Sequence, residues 1–389
     1  MNQGITLLRG KDRPIREKHH WVFSGAIASA PTYQNGDILP VYSNNGELLG
    51  HAMMNKDTSI AARMINFDSA DPVASIKLNI KRAIKYRNEL FRDGTTNAYR
   101  LINGEGDNLS GLVVDKYNKV LVIQIVSTGM SKLLDEIVGV LTNELDVECI
   151  YEKSTLGARK KEGLESIERV LFGKLPDTVE ILEHGVKFIV DIKNSQKTGL
   201  FLDQREMRKL VGEYAKDRKV LNCFSYTGGF SLYAALNGAK KVVSVDIAQD
   251  AVNLSKDNFV ANNLPTDNHE FLAVDAFDYL HNQPLDFDFI ILDPPAFAKK
   301  REDIPNARRG YLAINKTALK KMPSNSFLLT CSCSYHMDQQ MFEDIIKQAA
   351  LDVGRKVRII AKHRLSSDHP LNIFHNEMDY LKSLLLYVD

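Results

Sequence analysis

The chain has 389 residues, 44% of them hydrophobic and 25% charged, with 50 Lys and Arg against 49 Asp and Glu and a formal net charge of +1. At about 150 residues per domain, this length suggests two or three domains. The balance excludes a disordered or disulfide-stapled chain and a uniformly basic nucleic-acid coat. No apolar run approaches the roughly 20 residues of a membrane helix. Residues 1–18 are too polar for a signal peptide. The four cysteines, Cys149, Cys223, Cys331 and Cys333, form no CxxC pair. Reduced thiols in a cytoplasmic protein are expected, with no metal site and no membrane contact.

In chain order, residues 1–70 read as short strands broken by turn signals. Asn35-Gly36-Asp37 and Asn44-Asn45-Gly46 separate apolar runs such as Ile38 to Tyr42 and Leu48 to Met53. Asp71-Pro72 opens a helical pattern, with Ile76, Ile80, Ala83 and Ile84 at helix spacing and Asp71 as N-cap. Strands at Leu112 to Tyr117, Val120 to Ser127, Cys149 to Glu152 and Val186 to Ile192, with a helix over Met130 to Leu145, make residues 71–190 an α+β middle domain.

Residues 191–389 follow a β-α grammar from Lys219 onward. Apolar strands are expected at Val220 to Phe224, Val242 to Ile247, Phe271 to Asp275, Phe287 to Asp293 and Phe327 to Cys331, with helices between them. That pattern implies a parallel sheet covered on both faces. Val357 to Lys362 and Tyr380 to Val388 lack an intervening helix and predict an antiparallel pair at one edge.

Ligands bind open α/β sheets outside the carboxyl ends of the strands. Three features fall there: the turn Phe224 to Gly229, Asp246 ending the second strand, and Asp275-Ala276-Phe277 after the third. A glycine turn admits a ligand against the backbone, and an acid after the second strand can accept from both ribose hydroxyls. The trio suits an adenosine-containing cofactor. By itself it separates S-adenosylmethionine from a nicotinamide dinucleotide only in that the turn lacks G-x-G-x-x-G. For each aspartate singly, the simpler role is a helix N-cap.

Asp293-Pro294-Pro295-Ala296-Phe297 follows the fourth strand, and Thr330-Cys331-Ser332-Cys333-Ser334 ends the fifth. Neighbouring strand tips would bring a thiol and a carboxylate face to face, with Cys331 within the strand and Cys333 at its exposed end. A lone cysteine there is usually a small buried hydrophobe. Between the two motifs, residues 299–321 hold eight basic residues and two acidic ones. That run is expected to border the same edge and meet a phosphate backbone. Five basic residues and no acidic one lie between Arg355 and Arg364.

The block Lys197-Thr198-Gly199-Leu200-Phe201-Leu202-Asp203-Gln204-Arg205, then L-N-C-F-S-Y-T-G-G-F, V-D-I, D-P-P-x-F and S-C-S, resembles the bacterial large-subunit ribosomal RNA cytosine-5 methyltransferases of the three-domain, RlmI-like type. Asp368-His369-Pro370 and Glu377-x-x-Tyr380-Leu381-Lys382 are similar to that family too, and His20 to Gly25 resembles its N-terminal PUA domain. The resemblance implies a class I Rossmann-like methyltransferase domain over 191–389, a PUA-like β-barrel over 1–70 and the α+β domain between. It implies S-adenosyl-L-methionine as cofactor, ribosomal RNA as partner, and a monomer or homodimer. Thr198, Gly199 and Phe201 would close over the methionine part. Phe224, Ser225, Tyr226 and Gly228 would form the turn beneath it. Asp246 would take the ribose, with Ile247, Asp275 and Ala276 around the adenine and Asp293 and Pro294 at the cofactor's edge. Cys333 would be the nucleophile, and Asp293 would orient the base. No cysteine stands beside the strand-four prolines, where many RNA cytosine methyltransferases carry a second one. Two other readings compete: a guanine-N2 methyltransferase, which needs no thiol, and a non-catalytic RNA-binding protein with a relic cofactor fold.

Overall fold

The computed structural model describes residues 3–298, 300–375 and 377–389. The chain divides into two compact units. The first comprises Met1–Gly185, Val190–Leu202 and Ser367–Met378, and the second Val186–Ile189, Asp203–Ser366 and Asp379–Asp389.

In the first unit, a six-stranded sheet runs through Ile5–Leu7, Trp21–Phe23, Ile27–Ser29, Ile38–Tyr42, Leu48–Met54 and Ile60–Asn66. Its buried face is Ile5, Leu7, Val22, Val41, Ala52, Met54, Ala62 and Met64. The helix Pro72–Leu90 follows, and Asp71 caps it by accepting from the Ala74 N–H at 2.7 Å. A five-stranded sheet then forms from Ala98–Asn103, Leu112–Tyr117, Val120–Ile125, Cys149–Ser154 and Ile167–Gly173. The expected helix over Met130 to Leu145 is two helices, Thr128–Lys132 and Leu134–Glu144. Sequence patterning misses the strands at Ala98 and Ile167. The second is exposed along most of its length, so it carries no two-residue burial period.

The second unit is built on a seven-stranded sheet. Its strands are β1 (Lys219–Cys223), β2 (Lys241–Asp246), β3 (Glu270–Ala273), β4 (Phe289–Leu292), β5 (Ser326–Ser332), β6 (Val357–His363) and β7 (Lys382–Val388). Their spatial order is β3-β2-β1-β4-β5-β7-β6. β1 to β5 are parallel, whereas β7 runs antiparallel to both β5 and β6. The antiparallel pair expected from the end of the chain is present, with β7 inside the sheet and β6 at its edge.

Six helices cover the sheet: α1 (Arg205–Ala215), α2 (Gly229–Leu236), α3 (Gln249–Ala261), α4 (Ala276–Asn282), α5 (Ile304–Lys321) and α6 (Gln339–Val353). One core joins Leu221, Val243, Val245, Ile290, Leu292 and Leu328 to Tyr311, Ile314, Phe342 and Ile345 from the helices. The register pairs Cys223 with Val245 and Leu292, and Leu292 with Thr330. The first residues beyond these pairs, Phe224, Asp246, Asp293 and Cys331, therefore stand at one level along the carboxyl edge. Strand order reverses between β1 and β4, which is where such sheets open a ligand crevice.

Candidate active site

The turn after β1 is shaped by backbone conformation. Phe224, Tyr226 and Gly228 have φ of 60°, 48° and 76°, in the left-handed region. Only Gly228 is obligatory on space: a Cβ there would lie 1.9 Å from Ser255 Oγ. The Ser225 N–H donates to Val245 O at 2.9 Å, tying the turn to β2. Asp246 closes it from the other side, accepting from the Tyr226 N–H through Oδ2 at 2.8 Å and from the Ala248 N–H through Oδ1 at 3.0 Å. Asp246 is thus a turn-former as well as a candidate ribose acceptor.

The residues present suit an adenosine cofactor. Ser225 is 5% exposed and its Oγ has no hydrogen-bond partner among the described residues. Ile247 is 73% exposed, so its side chain offers open apolar surface beside the turn. Asp275 is the N-cap of α4, accepting from the Phe277 and Asp278 N–H groups at 2.7 and 3.0 Å. Ala276 behind it is buried, so the groups facing outward there are the Asp275 carboxylate and the exposed Phe277 ring. Phe277 meets Phe224 edge-on at 5.3 Å and lies 6.0 Å from Phe297. An aromatic wall therefore runs from the glycine turn to the loop after β4. A cleft of about 650 Å³ lined by Glu270, Leu272, Val274, Asp275 and Asp278 takes in only Asp275 of the expected cofactor residues. It lies off β3, away from the crevice.

The second cluster forms at the tips of β4 and β5. Asp293 is half-buried, and the Gln204 Nε2–H donates to its Oδ2 at 2.7 Å, fixing the carboxylate's rotation. Pro294 is buried, and the Cys333 thiol is 3.9 Å from its carbonyl oxygen. Ser334 pins the two loops together. It accepts from the Ala298 N–H at 3.1 Å and shares a hydrogen bond with the Tyr311 hydroxyl at 3.1 Å. The thiol and the Asp-Pro-Pro loop therefore converge, as the strand order predicts.

The two thiols of the S-C-S string differ sharply. Cys331 is fully buried, whereas Cys333 is partly exposed. Burial pushes the Cys331 thiol well up, and the negative charges of Asp293, Cys333 and Asp203 add to that shift. Cys331 stays protonated and packed, which removes it as a candidate nucleophile.

Thr198, Gly199 and Phe201 belong to the first unit. There Thr198, 3% exposed, donates from Oγ1 to Asp115 Oδ2 at 2.6 Å and lies 3.1 Å from the Tyr117 hydroxyl. A Cβ on Gly199 would press 2.9 Å from both Tyr117 and Val190.

The basic run does not form one border. Lys299 lies outside the described residues. The run is mostly the helix α5, 18 residues long, which at 1.5 Å per residue carries its far end roughly 27 Å away. Lys316 pairs with Asp352 at 2.9 Å, and the Lys321 ammonium donates to the carbonyls of Leu280, His281 and Gln283 at the end of α4. Those lysines are structural. Gly310 packs on Phe297, so this part of α5 lies against the Asp-Pro-Pro loop, with Arg308 and Arg309 just before it in sequence and Lys300 and Arg301 ahead of the helix. In the second basic run, Arg358 pairs with Asp389, Lys362 with Glu343 and Arg364 with Asp379, as a solvated charged face would.

Gln204, Asp203 and Lys382 stand in the quoted motifs but carry no role in the sequence reading. The Tyr380 hydroxyl donates to Asp203 Oδ2 at 2.6 Å. The Lys382 ammonium donates to Ser334 O at 2.7 Å. Each role depends on pairings across long sequence separations.

Two family models match the chain: an S-adenosylmethionine-dependent methyltransferase model over residues 152–342 and a PUA-like domain model over residues 5–67. The ribosomal RNA large subunit methyltransferase I of Alteromonas mediterranea is 38% identical over 100% of this chain and 99% of its own length. The enzyme of that name from Aliivibrio fischeri is 40% identical over 98% of each chain. Among solved structures, the methyltransferase SMU.776, crystallised with SAH, superposes with a TM-score of 0.85 at 25% identity over 99% of each chain. The expected α/β methyltransferase with a PUA-like N-terminal domain stands, and so does its cofactor. The chain is an S-adenosylmethionine-dependent methyltransferase belonging to the ribosomal RNA large subunit methyltransferase I family.

Proposed function

We propose that this protein methylates carbon 5 of a cytosine in large-subunit ribosomal RNA, with Cys333 as the nucleophile that activates the base. The names of the relatives support the RNA class. The observation that carries the chemistry is the partly exposed Cys333 thiol, 3.9 Å from the Pro294 carbonyl and beside the Asp293 loop.

Carbon 5 of cytosine is a poor nucleophile. Addition of the Cys333 thiolate to carbon 6 places electron density on carbon 5, after the thiol proton has left to solvent. Asp293, held by Gln204, donates in its protonated form to ring nitrogen 3, which gains negative charge as the sulfur adds. S-adenosylmethionine, when bound, supplies an electrophilic methyl group. Phe224, Ser225, Tyr226, Gly228 and Asp246 would hold it, with Ile247, Asp275, Ala276 and Phe277 around its adenine and Pro294 at its edge. Loss of the carbon 5 proton then expels the Cys333 sulfur. Cys331 takes no part in that release, being buried. The target cytosine must be unstacked to reach the thiol. Arg301, Arg308 and Arg309 supply positive charge for its phosphates. The reading carries a cytoplasmic location and a monomer or homodimer. Among the described residues, no helix is long and apolar enough to cross a membrane.

Mass spectrometry of ribosomal RNA nucleosides tests this directly. A strain lacking the protein should lose one 5-methylcytidine, restored by the wild-type chain and not by Cys333→Ala. Loss of a methylguanosine instead, or rescue by Cys333→Ala, contradicts it.

A further inference from the structure

β7 brings a buried cation to the backbone of the residue that follows Cys333. Lys382 opens that strand and pairs across the sheet with Ser332, the last residue of β5. It is 2% exposed, and its Nζ donates to the carbonyls of Ser334 and Tyr380, each at 2.7 Å. The ammonium thus sits against the residue that follows Cys333. Among the described residues, no carboxylate forms an ion pair with it. An ammonium stripped of water and offered only neutral carbonyls is costly to bury, and it favours any negative charge that forms nearby.

We propose that Lys382 is a positioning residue whose buried ammonium stabilises the thiolate of Cys333. This rests on the reading of Cys333 as nucleophile. The thiol proton goes to bulk solvent and Lys382 keeps its own. The charged groups around the lysine are Cys333, Arg364 and Asp338. Burial draws the lysine down to about 8, Cys333 and Asp338 pull it up, and Arg364 opposes them. It is therefore still cationic at neutral pH. The attraction is reciprocal: whatever a thiolate does to raise the lysine, the ammonium does to lower the thiol. The opposing charge at these strand tips is Asp293, which raises the neighbouring Cys331 thiol.

The test is the pH dependence of Cys333 alkylation by iodoacetamide, followed by peptide mass spectrometry. It needs no RNA, and the other three thiols are buried. The wild-type protein should show an apparent pKa at least one unit below the roughly 8.5 of a free cysteine. Lys382→Met and Lys382→Gln should raise it by at least one unit and slow alkylation at pH 7 about tenfold, while Lys382→Arg keeps the wild-type profile. Gln can still donate to the Ser334 carbonyl, so it guards against misfolding in the Met variant, and S-adenosylmethionine binding checks each fold. A wild-type value at or above 8.5, or uncharged variants with an unchanged profile, overturns the proposal. If Cys333→Ala still methylates RNA while the profiles hold, the nucleophile reading falls and the ion pair survives. The opposite pattern removes only the lysine's role.

Discussion

Gly228 shows how one residue sets the cofactor turn. Its φ is 76°, and a Cβ would lie 1.9 Å from Ser255 Oγ, an atom on a side chain too short to swing away. Forcing an L-residue into the left-handed region costs roughly 1–2 kcal/mol before that clash is counted. Gly228→Ala should therefore weaken S-adenosylmethionine binding at least tenfold and lower the melting temperature. Calorimetry and thermal unfolding would check this, and unchanged values for both would refute the role given to the turn. Asp246 teaches a different lesson. Its position after β2 is readable from sequence, but both of its oxygens already accept backbone N–H groups. The carboxylate that would bind ribose also builds the loop. Asp275 likewise is a helix cap as well as a candidate ligand. Lys382 and Gln204 show where sequence reading stops, because their chemistry comes from partners 48 and 89 residues away.

At the scale of elements, β1 to β5 were legible because each is a short apolar run followed by a helix. The register that levels Asp293 with Cys331 follows from parallel pairing alone. The β7 insertion between β5 and β6 was not legible: two terminal strands read as an edge pair whichever of them lies inside. The basic run misled for a related reason, since a helix 18 residues long spreads its charges along its axis and gives two of them structural partners. The N-terminal sheet carries its own liability. His20, next to the strand Trp21–Phe23, is fully buried, and neither ring nitrogen has a hydrogen-bond partner among the described residues. Burial draws its pKa down to about 4 from 6.5. Between those values the unfolded chain binds a proton that the folded one refuses, so stability falls as pH drops through that window. The loss approaches about 3 kcal/mol below pH 4. His375 and His363 are shifted by burial in the same direction and add to it. Urea midpoints at pH 7 and pH 4.5 should diverge less in His20→Leu than in the wild type; equal divergence would show that His20 does not titrate as described.

For the whole molecule, the family assignment spans the full chain, while the proposed chemistry lies in the second unit at one sheet edge. Strand order brings the glycine turn, the Asp-Pro-Pro loop and the S-C-S tip to that edge. Cys331 is fully buried there, whereas Cys333, the proposed nucleophile, is partly exposed. The most direct measurement is covalent trapping with a ribosomal RNA fragment carrying 5-fluorocytidine, in the presence of S-adenosylmethionine. Fluorine at carbon 5 cannot leave as a proton does, so the bond from sulfur to carbon 6 should persist through denaturing electrophoresis. Mass spectrometry should map it to Cys333, with Cys333→Ala giving no adduct. An adduct at another residue, or efficient methylation of unmodified RNA by Cys333→Ala, would contradict the account.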